Sequence, residues 1–160
     1  MAENRNLQFL SEQHDHKRCI ATAMANADKV CLDRNQRFTK LRKRIFELVW
    51  QQHKPIRAYD VLEILQQDGR AAPPTVYRGL DFLIEVGLIH KIESLNAFVG
   101  CVEPGCHHQG QFLICTSCNA YAEINSSTIN NAITDAARES GFEVKEQTIE
   151  IMGICPSCQL

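Results

Sequence analysis

Pro73-Pro74-Thr75-Val76-Tyr77-Arg78-Gly79-Leu80-Asp81-Phe82-Leu83-Ile84-Glu85-Val86-Gly87 is the stretch that decides the fold. Proline suits the first turn of a helix, whose amides have no intrahelical acceptor, and Gly87 supplies the stop. Val76, Leu80, Leu83 and Ile84 recur at helical spacing and are expected to face inward. Thr75 and Arg78 then share the outer face of the first turn. Two strand-like runs follow, Leu88–Ile92 and Ala97–Cys101, with a turn at Ser94-Leu95-Asn96. Upstream, Ala58–Gln67 reads as a helix around Val61, Leu62 and Leu65, stopped by Gly69 and preceded by Pro55. Thr39 is an N-cap for a helix through Gln52 with Leu41, Ile45, Leu48 and Val49 on its buried stripe. Lys17–Cys31 is an amphipathic helix carrying Ile20, Ala23, Ala27, Val30 and Cys31.

Helices followed by a β-hairpin make a winged helix-turn-helix, whose last helix enters the DNA major groove N-terminal end first. Charge agrees with this. Residues 1–92 carry 15 Lys/Arg against 11 Asp/Glu, residues 93–160 carry 2 against 8, and the net of −2 conceals the split. Arg34, Arg37, Lys40, Arg42, Lys43 and Arg44 fall within 11 residues with no acid among them. Such a run is ordinarily a solvated helix face; beside a DNA-reading helix it becomes a phosphate-binding feature. Arg78 suits bidentate contact with guanine. The expected DNA contacts are therefore Arg78 and Thr75 for bases and Arg42, Lys43 and Arg37 for phosphate. For Tyr77, stacking near DNA and packing in the domain both stay open.

Residues 102–110 form a hinge-like stretch with Pro104, Gly105 and Gly110. Beyond it, strands are expected at Gln111–Cys115, Ala120–Ile124 and Glu143–Ile151. A helix over Ser127–Ser140 should turn Ile129, Ile133, Ala136 and Ala137 inward. A unit of about 50 residues is too small to be secure alone. Cys115-x-x-Cys118 and Cys155-x-x-Cys158 are the expected staple: two knuckles whose four thiolates complete a tetrahedral zinc shell. That shell has no open position, so it holds structure and performs no chemistry. The strand edges invite pairing with a second copy, so a homodimer is expected. His90, Cys101, Cys106, His107 and His108 suggest a second metal site. His14, His16 and Cys19 are also potential ligands, but they read better as part of a polar leader. Cys31 reads as core.

There is no apolar run at Met1-Ala2-Glu3-Asn4-Arg5 and no stretch approaching a membrane span, so a cytoplasmic location is expected. Eight cysteines without a signal peptide and in paired spacing point to reduced thiolates on metal rather than to disulfides. No nucleophile–base arrangement or phosphate loop is visible, so a non-enzyme without a small organic substrate is expected.

Arg37-x-Thr39-x-x-Arg42-x-x-Ile45, Ala58-Tyr59-Asp60, Pro74-Thr75-Val76-Tyr77-Arg78 with Leu80, and Cys115-x-x-Cys118 resemble the ferric uptake regulator family of metal-responsive repressors. Within it, Tyr59-Asp60, Pro73–Arg78, Asp81-Phe82-Leu83 and His90-Lys91-x-Glu93-Ser94-x-Asn96 resemble the zinc uptake regulator branch. The resemblance implies a dimeric repressor of zinc-uptake genes that binds double-stranded operator DNA with zinc as corepressor, two zinc ions per monomer, and Tyr59 at the DNA. It also implies a sensor site of His90, Cys101, His108 and Glu123. Iron-responsive members carry His-His-Asp-His before the first knuckle; here Cys106-His107-His108-Gln109-Gly110 lacks the Asp and the last His. One thiolate, two imidazoles and a carboxylate suit tetrahedral zinc better than ferrous iron, with Cys106 or His107 as substitute ligands. His90 lies on the wing, Cys101 at the hinge, and His108 and Glu123 further on, so metal binding is expected to clamp one domain against the other. The alternatives are a sensor of iron, manganese, nickel or peroxide and, outside the family, a zinc-ribbon redox or metal-transfer protein.

The expected plan is α+β. A flexible polar leader (1–17) precedes a winged helix-turn-helix (18–101), a hinge (102–110) and a small α/β dimerisation domain with a structural four-cysteine zinc site (111–160).

Overall fold

Helix α4 (Pro73–Glu85) forms with both prolines in its first turn and buries Val76, Leu80 and Leu83 on one stripe. A computed structural model describes residues 9, 15–51, 54–69, 71–105 and 110–159 of the chain. Up to residue 14, and apart from residue 9, the expected leader lies outside the described residues, as does the expected helix end at Gln52. The chain divides into two units, one within Leu10–Cys106 and one within His107–Leu160.

In the first unit, α1 (His16–Asp33), α2 (Lys40–Trp50), β1 (Ile56–Arg57) and α3 (Ala58–Gln67) precede α4, followed by β2 (Ile89–Ile92) and β3 (Ala97–Gly100). Asp15 caps α1 by accepting the Arg18 amide, and Thr39 caps α2 by accepting the Arg42 amide, each satisfying an orphan donor. The sheet runs β1-β3-β2, antiparallel throughout, with Ile56 opposite Phe98 and His90 opposite Val99. β1 escapes the sequence because two residues carry no periodicity. The hairpin turn is a single 3₁₀ turn, Glu93–Leu95, closed by Asn96 at φ 46°. Ala27 and Cys31 of α1, Ile45, Phe46 and Val49 of α2, Val61 and Leu65 of α3, and the α4 stripe form one core. Each fully buried aliphatic contributes about 1.5–3 kcal/mol. Ile84, expected inward, is 37% exposed: it lies at the margin of the stripe that Val76, Leu80 and Leu83 centre.

In the second unit, β4 (Gly110–Cys115), β5 (Tyr121–Ile124), α5 (Ser127–Glu139) and β6 (Thr148–Gly153) form a sheet ordered β5-β4-β6. β5 is antiparallel to β4 and β6 is parallel to it. A parallel neighbour demands a crossover, and α5 supplies it. The last strand, expected from Glu143, begins only at Thr148; Glu143 instead pairs with Lys145, and Gln147 donates to Asn130 Oδ1. The inward stripe expected on α5 is not buried: Ile133 is 37% exposed, Ala136 is exposed, and Ile129 and Ala137 are half-buried.

Gln111 ties this helix to the sheet. Its side chain, fully buried, donates to Ser126 O (3.2 Å) and Asn130 Oδ1 (2.6 Å) and accepts from the Ser126 amide (3.2 Å). It thereby acts as one further rung beyond the Gln111–Ile124 pair and fixes the α5 N-cap, Ser126. Gln111→Leu leaves those buried partners unmatched and should cost about 1–3 kcal/mol. Urea unfolding of the zinc-loaded chain measures it, and an unchanged midpoint would refute the clasp.

Candidate metal centres and nucleic-acid face

Cys115 ends β4, and the chain then folds back through Asn119, held at φ 58°, whose amide donates to Cys115 O at 3.0 Å. The Cys115 amide in turn donates to Ala120 O at 2.8 Å, a closure that brings Cys118 beside Cys115. Because β6 runs parallel to β4, Gly153 lies opposite Cys115 and the second knuckle starts two residues later. The Thr116 amide (2.8 Å) and hydroxyl (3.2 Å) both donate to Gly153 O, joining the two knuckles. A 3₁₀ turn, Pro156–Cys158, carries Cys158 back, with its amide on Cys155 O at 2.9 Å.

The four sulfurs lie within 4.8 Å of one another, Cys118 and Cys155 at 3.8 Å. Zn–S bonds of about 2.3 Å set tetrahedron edges of roughly 3.8 Å, so the donor set fits zinc in both chemistry and size. The Cys155 amide points at Cys115 Sγ (3.4 Å) and, with the amides of Cys118 and Ser117, holds that thiol down to about 6. Hydrogen bonds with the Cys155 and Cys118 sulfurs push Cys158 up to about 12. Four crowded sulfurs resist ionising together; a dication among them removes that penalty, and the amides already favour the anion.

The sensor candidates divide between the units. In the first, His90 lies on β2, and Cys101 follows β3 with its amide on Leu88 O at 3.1 Å. Their donor atoms lie within 4.8 Å of each other, His90 half-buried and Cys101 buried. Gly100 fixes this end of β3: a Cβ there would stand 2.2 Å from the Trp50 ring, so no larger residue fits beside the indole. In the second unit, Glu123 lies opposite Phe112 on β5 and is 5% exposed, an unusual place for a carboxylate. His108 lies outside the described residues, as do Cys106 and His107. Of the leader candidates, His14 is likewise outside them, His16 Nε2 bonds the Gln51 carbonyl, and burial raises the Cys19 thiol. Cys31 is core, as expected.

Thr75, Tyr77 and Arg78 are exposed on the first turns of α4, Tyr77 by 50%, and Tyr59 at the start of α3 by 67%. Both tyrosines border a groove of about 430 Å³ with Arg57, Lys91, Ile84 and Phe98. Arg37 and Lys40 are exposed, but three cations of the basic run are engaged within the fold. Arg42 lies 3.5 Å over the Phe82 ring and donates to Arg37 O; Lys43 pairs with Asp28 at 2.6 Å; Arg44 reaches Glu47 at 2.8 Å and Asp68 at 3.5 Å. Those partners come from α1, α2, α4 and the end of α3. Sequence reasoning missed Phe82 and Gln111; a lone glutamine beginning an apolar strand was the available signal for the second.

Fold and site together define a winged-helix protein with a small α/β unit whose four clustered cysteines are compatible with a structural zinc site. The model described as "Ferric uptake regulator family" matches residues 33–152, and the chain belongs to this family. It is 38% identical over 138 residues to the "Zinc uptake regulation protein" of Escherichia coli (strain K12), covering 84% of this chain and 80% of that one. Among solved structures, one described as "Crystal structure of holo XcZur" matches with TM-score 0.81 and 35% identity, covering 86% of this chain and 97% of that one. One described as "Zinc Uptake Regulator Complexed With Zinc AND DNA" matches with TM-score 0.80 and 35% identity, covering 88% and 95%. Among the described residues, no helix is long and apolar enough to cross a membrane.

If the four cysteines hold zinc, Cys118→Ser removes one of its thiolates and should cost both chelation-resistant zinc and the folding of the C-terminal unit. Metal content after mild chelation and far-UV circular dichroism measure both. A folded variant retaining one chelation-resistant zinc would refute the assignment.

Proposed function

We propose that this chain is a zinc-responsive, dimeric transcriptional repressor that acts in the cytoplasm on zinc-uptake genes and binds operator DNA when its sensor site is loaded. The carrying observation is the likeness, over most of both chains, to a structure solved with zinc and DNA together. Its role is regulatory rather than catalytic. Each monomer takes two zinc ions: Cys115, Cys118, Cys155 and Cys158 hold the structural one, and His90, Cys101, His108 and Glu123 hold the corepressor. The adjacent His90 and Cys101 donors and the buried Glu123 carboxylate support the second set. A thiolate among imidazole and carboxylate donors favours zinc over harder ions. The half-covered apolar face of α5, with Ile133, and the β6 residues Ile151 and Met152 supply surface for a second copy. On α4, Arg78 reads base edges with Thr75 and Tyr77, and Tyr59 contributes from α3. Arg37 and Lys43 serve phosphate with Lys40, while Arg42, the remaining phosphate candidate, is taken up below.

Because the sensor donors come from both units, their loading favours one arrangement of the chain. Moving a two-state equilibrium from 1:99 to 99:1 takes about 5.5 kcal/mol of differential affinity, within the roughly 10 kcal/mol that structural zinc sites supply. Operator DNA must tighten zinc binding by the same factor that zinc tightens DNA binding. Both affinities should fall in acid, because His90, His108 and Cys101 must release protons to bind.

Cys101→Ser should leave a folded dimer with its structural zinc but no zinc-dependent operator binding. Metal counts per monomer and gel shifts with and without zinc read this; zinc-dependent binding that persists would move the sensor elsewhere, Cys106 and His107 first. Arg78→Ala should lose about 1–3 kcal/mol on the specific duplex and little on random DNA at fixed salt. Unchanged specific binding would mean that α4 is not the reading helix.

A further inference from the structure

Arg42 belongs to the basic run, yet its guanidinium carbon lies over the Phe82 ring, 3.5 Å from the ring centroid, with Nη1 on the Arg37 carbonyl. Its own amide is the one that Thr39 caps at the start of α2. A single residue in the first turn of α2 is therefore tied to the loop before α2 and, through its side chain, to the middle of α4. Phe82 lies four residues after Arg78, on the flank of α4 that faces α2. One turn earlier on that flank is Gly79, where a Cβ would stand 2.4 Å from Ile45 Cδ1. Two contacts thus set the roll of α4 against α2: Ile45 against Gly79, and Arg42 against Phe82.

We propose that Arg42 is a positioning residue for DNA reading and not a phosphate contact. It holds the exposed Arg37 and Lys40, on the loop and first turn that it braces, at a set distance from Arg78 on α4. Phosphate contacts give register and base contacts give sequence, so specificity depends on that spacing. Arginine meets the requirement because a planar fork stacks on a ring and donates from its edge at once; lysine keeps the charge and loses the geometry. The proposal rests on reading α4 as the DNA-binding helix.

The test uses the zinc-loaded full chain, a duplex enriched by the wild type from a random-sequence pool, and a scrambled duplex of the same composition. Arg42→Lys and Phe82→Leu, each first checked for an unchanged thermal midpoint, should both lower the specific-to-scrambled affinity ratio at least fivefold. The dependence of log K on log salt should keep its wild-type slope, and the double variant should lose no more than either single one. If Arg42→Lys instead binds like wild type while Arg42→Ala weakens both duplexes equally and reduces the salt slope by about 1, Arg42 is a phosphate contact and the proposal fails. Enrichment of no sequence by the wild type would overturn the DNA-binding reading itself.

Discussion

Four sulfurs at the ends of two parallel strands are what the C-terminal unit is built on. β4 and β6 are separated in the chain by β5 and α5, so pairing them closes a long loop before any contact repays its entropy. The buried apolar set available in return is short: Phe112, Ile114, Ala122 and Ile124, with Cys115 and Cys155 from the centre itself. Parallel direction puts Cys115 and Gly153 side by side, so both knuckles emerge at one end of the sheet. Metal bound there would contribute folding free energy, because the unfolded chain holds no such site.

The opposite end of β4 is secured differently. Gln111 spends its whole amide on the Ser126 backbone and on Asn130, and Asn130 also receives Gln147 from the approach to β6. The cysteine cluster lies at one end of β4 and a neutral amide clasp at the other. Glu123 lies on β5, three residues before Ser126, which Gln111 holds. Were this carboxylate to hold a metal, a rigid strand beneath it would help fix the angle of approach.

In the N-terminal unit the core is conventional, and the informative chemistry is at its margin. Of six clustered cations, Arg42, Lys43 and Arg44 are met by a ring face, by acids from α1 and the end of α3, and by Glu47 on α2 itself. Pairs this exposed contribute little stability apiece. Their consequence is geometric: they fix where these three side chains lie, while Arg37 and Lys40 stay exposed.

Local chemistry made much of this legible. Prolines and Gly87 bounded α4, Ala58–Gln67 was read with its true limits, and Thr39 was read as the cap it is, because caps and breakers act within a turn. The C-x-x-C knuckles were equally legible, since a tight turn joins two thiolates whatever surrounds it. The family resemblance, not the spacing, supplied the sensor set. Neighbours across the fold were beyond sequence. β1 is too short for any period, β6 starts five residues late because Glu143–Gln147 is held by side chains instead of a ladder, and α5 leaves its expected inward face uncovered. Only the tertiary structure set Phe82 under Arg42 and Gln111 against Ser126. Such contacts depend on where elements distant in the chain come to rest, and no local period encodes that.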